Sequence, residues 1–184
     1  MDGLVASLVV IGYRFLVPFL ILRYPLAGIF LAIAADASDA MIFEATGWGL
    51  FGGGANYSYW DKALDIWYLF FAWLAARKYW LEPLALKTAN VLFWWRAAGV
   101  ATFFLWPHRI VFVFAPSIFE NFYILWTVVR KRRPGWGLTW KQLALIISIA
   151  AIPKIAQEMA MHWLFENQTW YFFRTYVFWW LYHY

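Results

Sequence analysis

Long apolar runs, each closed by a basic or a Gly/Pro-rich break, follow one another along the whole chain. A helix needs roughly 20 apolar residues to cross about 30 Å of hydrocarbon, and the breaks cut the sequence into segments of that size. The first segment covers 4–22, with Arg14 in its middle and Pro18 as a kink near its end. Arg23-Tyr24-Pro25 is a tight connector, because Pro suits the first position of a new helix, where its missing N–H costs nothing. A second helix follows over 25–43. Gly47, Gly49 and Gly52 to Gly54 then read as a loop. The third helix covers 58–78, with Ser58-Tyr59-Trp60-Asp61 resembling a capping box in which Asp replaces Glu. The fourth covers 83–106, and Pro107 opens a fifth that continues to 129 past Pro116 and Glu120. Arg130-Lys131-Arg132-Arg133-Pro134-Gly135 is the clearest loop. Thr139-Trp140-Lys141-Gln142 is a second capping box, opening a sixth helix that runs to 165 with a kink at Pro153. The tail 170–184 is apolar, aromatic and short, either a marginal seventh span or a helix lying in the interface. The pattern predicts an all-α fold, a polytopic membrane helical bundle of six transmembrane helices plus a short aromatic C-terminal helix. Residues 1–184 form one integral membrane domain.

Composition strengthens this reading. Hydrophobic residues make up 65% of the chain and charged ones 14%, against about half and about a quarter in globular proteins. Met1-Asp2-Gly3 lacks a basic n-region and leads into a long apolar run, so a retained span is expected in place of a cleaved signal. The absence of cysteine excludes disulfides, thiolate metal sites and Cys nucleophiles. A net charge of +5 is spread among the loops without a basic face, which argues against nucleic acid and for topology. Arg23, Arg77, Lys78, Lys87, Arg130 to Arg133 and Lys141 fall on one side; Lys62, Arg109 and Arg174 fall on the other. The positive-inside rule then places the N-terminus outside and the basic loops in the cytoplasm, as in a bacterial inner membrane protein. Aromatics reach 24%, with fifteen Trp, more than interfacial belts usually need. Packing between helices is the simplest use for them; contact with membrane lipids or a pigment is the other.

Against this background, 35–69 stands out, because it holds Asp36, Asp39, Glu44, Asp61 and Asp65, half of the ten acids. Ionisable groups inside a span are costly and mark functional sites by default. Asp36 and Asp39 are three apart and Asp61 and Asp65 four apart, so each pair shares a helical face. The first pair lies toward a helix C-terminus, where the dipole disfavours negative charge; it needs a positive partner or a proton. Converging on one cation, the four carboxylates would make an all-oxygen site for Mg²⁺ or Mn²⁺, or for Ca²⁺. Lys154, Glu158 and His162 recur every four residues, and with Arg96 and Glu120 they form a second wall of one outward-facing polar cavity. Glu158 or His162 is the candidate general base. The plainer account pairs the charges off, Lys154 with Glu158, Lys62 with an Asp, Arg96 with Glu120, and Arg14 with an acid on a neighbouring helix. His108, His162 and His183 have no zinc-site spacing. No Walker-type loop or nucleophile elbow is present.

Asp36-x-x-Asp39 ending one helix and Asp61-x-x-x-Asp65 opening the next resemble the CDP-alcohol phosphatidyltransferase family, in which four aspartates of the second and third of six spans bind divalent metal. The resemblance covers about thirty residues. Ala40-Met41-Ile42-Phe43-Glu44 replaces the family's Gly and Ala-Arg, Tyr57 replaces its Gly, and the segment between the pairs is longer. Residues 59–69 also look like uncharacterised bacterial multi-pass membrane proteins. The leading expectation is a membrane enzyme modifying a lipid or isoprenoid, a (phospho)transferase or hydrolase with metal on the four aspartates. A non-enzymatic accessory subunit of a larger membrane complex, or an ion or proton pathway, remain the alternatives, and a homo-oligomer stays open.

Overall fold

The computed structural model describes residues 3–46, 49–51, 54–159 and 175–176, and every regular element among them is helical. In chain order these are α1 (Gly3–Leu16), α2 (Pro25–Ala45), α3 (Gly54–Tyr79), α4 (Pro83–Leu105), α5 (Ile110–Phe114), α6 (Ile118–Arg132) and α7 (Trp140–Met159). Short 3-10 turns at Val17–Leu22 and Gly49–Phe51 fill two of the connections. Continuous segments at Gly3–Leu22, Pro25–Ala45, Ile110–Arg132 and Trp140–Met159 are long and apolar enough to cross a membrane. At 26 and 23 residues, α3 and α4 have the length as well, but Asp61, Lys62, Asp65, Lys87 and Arg96 interrupt their apolar character. His162, the expected extension to 165 and the tail beyond 170, apart from Thr175 and Tyr176, lie outside the described residues.

The boundaries have local causes. Pro25 and Pro83 sit in the first turns of α2 and α4. The capping box at α7 forms reciprocally: the Thr139 amide donates to Gln142 Oε1 at 2.9 Å, and the Gln142 amide to Thr139 Oγ1 at 3.4 Å. The box expected at Ser58 does not form, because α3 begins at Gly54 and Ser58 lies within its helical turns. The expected fifth helix is broken in two. Pro116 has no N–H to continue the ladder, and the chain unwinds between Phe114 and Ile118. Side chains of α4 take up the freed carbonyls: Trp95 Nε1 donates to Phe114 O at 3.0 Å and Arg96 Nη1 to Ala115 O at 2.8 Å. Irregular backbone persists in a packed interior where protein donors satisfy it in this way.

The main core runs along α3 and α6. Ala72, Ala75 and Ala76 of α3 with Ala85 and Ala89 of α4 leave room for Phe119, Phe122, Tyr123 and Trp126 of α6. Small residues permit close helix approach where lipid supplies no hydrophobic driving force. Trp80 stacks on Tyr123 and Trp73 on Phe93, so part of the aromatic surplus is interhelical filler. The outer faces carry Leu8, Leu16, Phe30, Trp94, Trp95, Leu105 and Ile152, an apolar exterior suited to lipid.

Gly28 marks a close backbone crossing. A Cβ there would lie 2.5 Å from the backbone nitrogen of Ile21, where α2 folds back over the 3-10 turn. At Gly12 a Cβ would meet nothing within 4 Å. Gly28→Ala should therefore destabilise the protein by about 1–3 kcal/mol through overpacking, while Gly12→Ala should be neutral or stabilising; melting in detergent distinguishes them. Equal behaviour of the two variants would contradict this packing.

Candidate functional site: an ion-paired cavity

Arg14 carries the site. It lies two residues before the end of α1 and is 4% exposed, facing the C-terminal part of α2 and the N-terminal part of α3. Its Nη2 donates to Asp36 and its Nη1 to Asp39. Nη1 also reaches Asp61 Oδ1 and Nη2 reaches Asp65 Oδ1, each at 3.2 Å. One planar fork thus serves all four aspartates. This is the positive partner that the adverse dipole at the end of α2 requires, and the rigid five-donor guanidinium suits it better than an ammonium. Tyr57, one turn before Asp61, donates to Asp39 and lies 3.3 Å from Asp61 Oδ1. Lys62 Nζ pairs with Asp61 at 2.7 Å and with Asp65 at 3.1 Å.

The second wall comes from α4, α6 and α7. Arg96 is buried at the centre of α4, 3.8 Å from Asp65 and 3.7 Å from Glu158. Lys154 lies 3.8 Å from Glu120, which also accepts a 2.5 Å hydrogen bond from Tyr68. Where the sequence paired Lys154 with Glu158 and Arg96 with Glu120, the structure makes the interhelical pairs Lys154–Glu120 and Arg96–Glu158. The Lys62 ammonium and the Arg96 guanidinium both approach the Phe112 ring, at 5.3 and 4.7 Å. Between the walls is a cavity of about 390 Å³ lined by Asp36, Asp39, Asp61, Asp65, Glu120 and Glu158 as acids, with Lys62, Arg96, Arg109 and Lys154 as bases. Its volume falls in the range of small-molecule sites, roughly 300–1,000 Å³.

The expected residues are therefore in one place: the four aspartates, Arg96, Glu120, Lys154 and Glu158 all line the cavity. Tyr57, Tyr68 and Ser117 line it as well and were missed. For the tyrosines a signal existed, since each lies within a helical turn of an aspartate on the same helix. Ser117 belongs to the break at Pro116, which an unbroken helix could not reveal.

Asp36, Asp39 and Asp61 each offer a carboxylate oxygen within 4.8 Å of the others, so this triad could hold a metal ion. Asp65 is not part of the triad; its oxygens meet Arg14, Lys62 and Arg96. The donor set is right for a hard divalent ion. However, the Arg14 guanidinium bonds the same carboxylates, and a cation enters only as that guanidinium gives way.

The chain matches no family model, no curated protein and no solved structure.

Removing one partner of a buried ion pair strands the other, at about 3–5 kcal/mol. Arg14→Gln should lose stability on that scale in detergent unfolding. Lys87→Gln, on the more exposed surface of α4, should change it by less than about 0.5 kcal/mol. Comparable losses in the two variants would remove Arg14 from its central role.

Proposed function

We propose that this chain is a six-span integral membrane protein whose cavity receives the charged head of a lipid or isoprenoid amphiphile, and that its chemistry is a transfer or hydrolysis at that head. Two features support this reading: an ion-lined cavity of head-group size, and an apolar exterior on the helices around it. A purely structural set of ion pairs needs no such volume. In the bundle, α3 and α4 complete the six spans, with their ionisable residues turned inward, as intramembrane charge requires. The positive-inside rule puts the basic connectors in the cytoplasm and the cavity toward the opposite face.

In this reading the acids and bases divide the work. Among the described residues, and counting Arg14, six carboxylates face five bases, Arg14, Lys62, Arg96, Arg109 and Lys154, an excess of one acid that a further cation would balance. Mg²⁺, Mn²⁺ or Ca²⁺ on Asp36, Asp39 and Asp61 would supply it and would polarise a phosphoryl or similar oxygen. Arg96 and Lys154 would hold the anionic part of the head, and Glu158, at the cavity wall, is the candidate base. The resemblance to CDP-alcohol phosphatidyltransferases belongs with this version of the reading.

The engagement of Arg14 with all four aspartates favours a second reading, in which the network is structural and the chain is an accessory subunit of a larger membrane complex. Divalent cations separate the two. In detergent, Mn²⁺ or Mg²⁺ should raise the melting temperature of the wild type, and Asp39→Asn or Asp61→Asn should abolish the shift. Arg14→Gln should bind Mn²⁺ more tightly, because a competing cation has been removed. If neither the wild type nor Arg14→Gln responds to any of the three ions, the metal reading is lost and the structural one stands.

A further inference from the structure

We infer that the opposite, basic end of the bundle carries a second binding site, which takes the phosphate oxygens of a head group. A pocket of about 480 Å³ opens there among the N-terminus of α2, the end of α3 and the last turns of α6. Arg23, Arg130 and Lys131 line it, and no carboxylate does among the described residues. The contrast with the cavity at the other end, where acids and bases are nearly balanced, is one of charge type.

Three features place donors at this pocket. Pro25 starts the 21-residue α2, and Leu26 and Ala27, which line the pocket, belong to a first turn whose amides lack intrahelical acceptors. The positive end of a helix dipole adds to them, and together they favour an anion. Arg130 donates one N–H to the Tyr79 carbonyl, which fixes its planar fork at the pocket wall. Tyr123 is wholly buried, at 0% exposed, and lines the same pocket. Its hydroxyl and that of Thr127, one turn along α6, are buried without a hydrogen-bond partner among the described residues. A buried hydroxyl left in this state costs free energy that a ligand oxygen recovers.

The chemistry selects phosphate. Tetrahedral oxygens accept simultaneously from a guanidinium fork, an ammonium and helix amides. Tyr24, exposed at the mouth of the pocket, is an amphipathic ring of the kind found at head-group level. Basic pockets between helix ends are where anionic lipid heads bind. A lipid phosphate and a free phosphate share this recognition, and experiment separates them.

The full-length chain in neutral detergent is titrated separately with dioleoylphosphatidic acid, dioleoylglycerol and inorganic phosphate, following tryptophan fluorescence and melting temperature. Phosphatidic acid should bind and dioleoylglycerol should not. Arg23→Gln with Lys131→Gln, at two exposed positions, should weaken binding about 30-fold. Tyr123→Phe keeps the ring and should weaken binding without lowering the ligand-free melting temperature. Inorganic phosphate acting alone, with the same sensitivity to the double substitution, supports the site and assigns it to a free phosphate. Equal binding of phosphatidic acid and dioleoylglycerol, or phosphatidic acid binding unchanged by the double substitution, overturns it.

Discussion

Four carboxylates gathered at the junction of two helices repel one another and, in a low-dielectric interior, cannot all keep their charge without a counter-ion. Arg14 is the counter-ion common to all four, and much of the rest of the arrangement follows from where it must sit. Its guanidinium has to reach Asp36 and Asp39 on α2 as well as Asp61 and Asp65 on α3, so α1 is held against both helices at one depth. The crossing of α2 over the Val17–Leu22 turn, which Gly28 makes close enough, then places the basic connector Arg23-Tyr24 at the far end. Ion pairing at one end and close backbone packing at the other thus fix the same hairpin.

The second constraint is backbone satisfaction. A proline in the fifth apolar segment breaks it, and the freed carbonyls need donors from neighbouring helices. Arg96 meets one of those carbonyls and also closes the ion-pair chain from Asp65 to Glu158. A Cβ on Gly99 would lie 2.3 Å from the Cβ of Ala115, so α4 can come close to the break only because position 99 is glycine. One buried arginine therefore couples the broken helix to the acidic wall, and the cavity is the space that this break leaves beside α7.

Much of this is legible in the sequence itself. The helices follow from apolar runs and their Pro, Gly and basic boundaries, and the gathering of polar residues follows from the cost of intramembrane charge. The dipole argument required a positive partner for Asp36 and Asp39, although it did not say that one arginine would serve both aspartate pairs. That assignment depends on the depth of Arg14 relative to two other helices, and spacing within one helix carries no such information. The pairing of Arg96 and Lys154 was misjudged for the same reason: neighbours within a helix are visible in sequence, and neighbours across helices are not. The start of α3 was missed because Gly54 to Tyr57 read as loop by composition, whereas Tyr57 anchors that first turn to Asp39. The basic pocket was hidden because its residues come from the ends of three helices far apart in the chain.

The central claim is that Arg14 and the aspartates act as one unit. A double-mutant cycle between Arg14→Gln and Asp39→Asn, read by reversible unfolding in detergent, tests it most directly. The two losses should fall short of additivity by about 1–3 kcal/mol, the range for residues in one network. Losses that add to within about 0.3–0.5 kcal/mol, as for distant sites, would mean that the pair does not hold the helices together, and the account would fail.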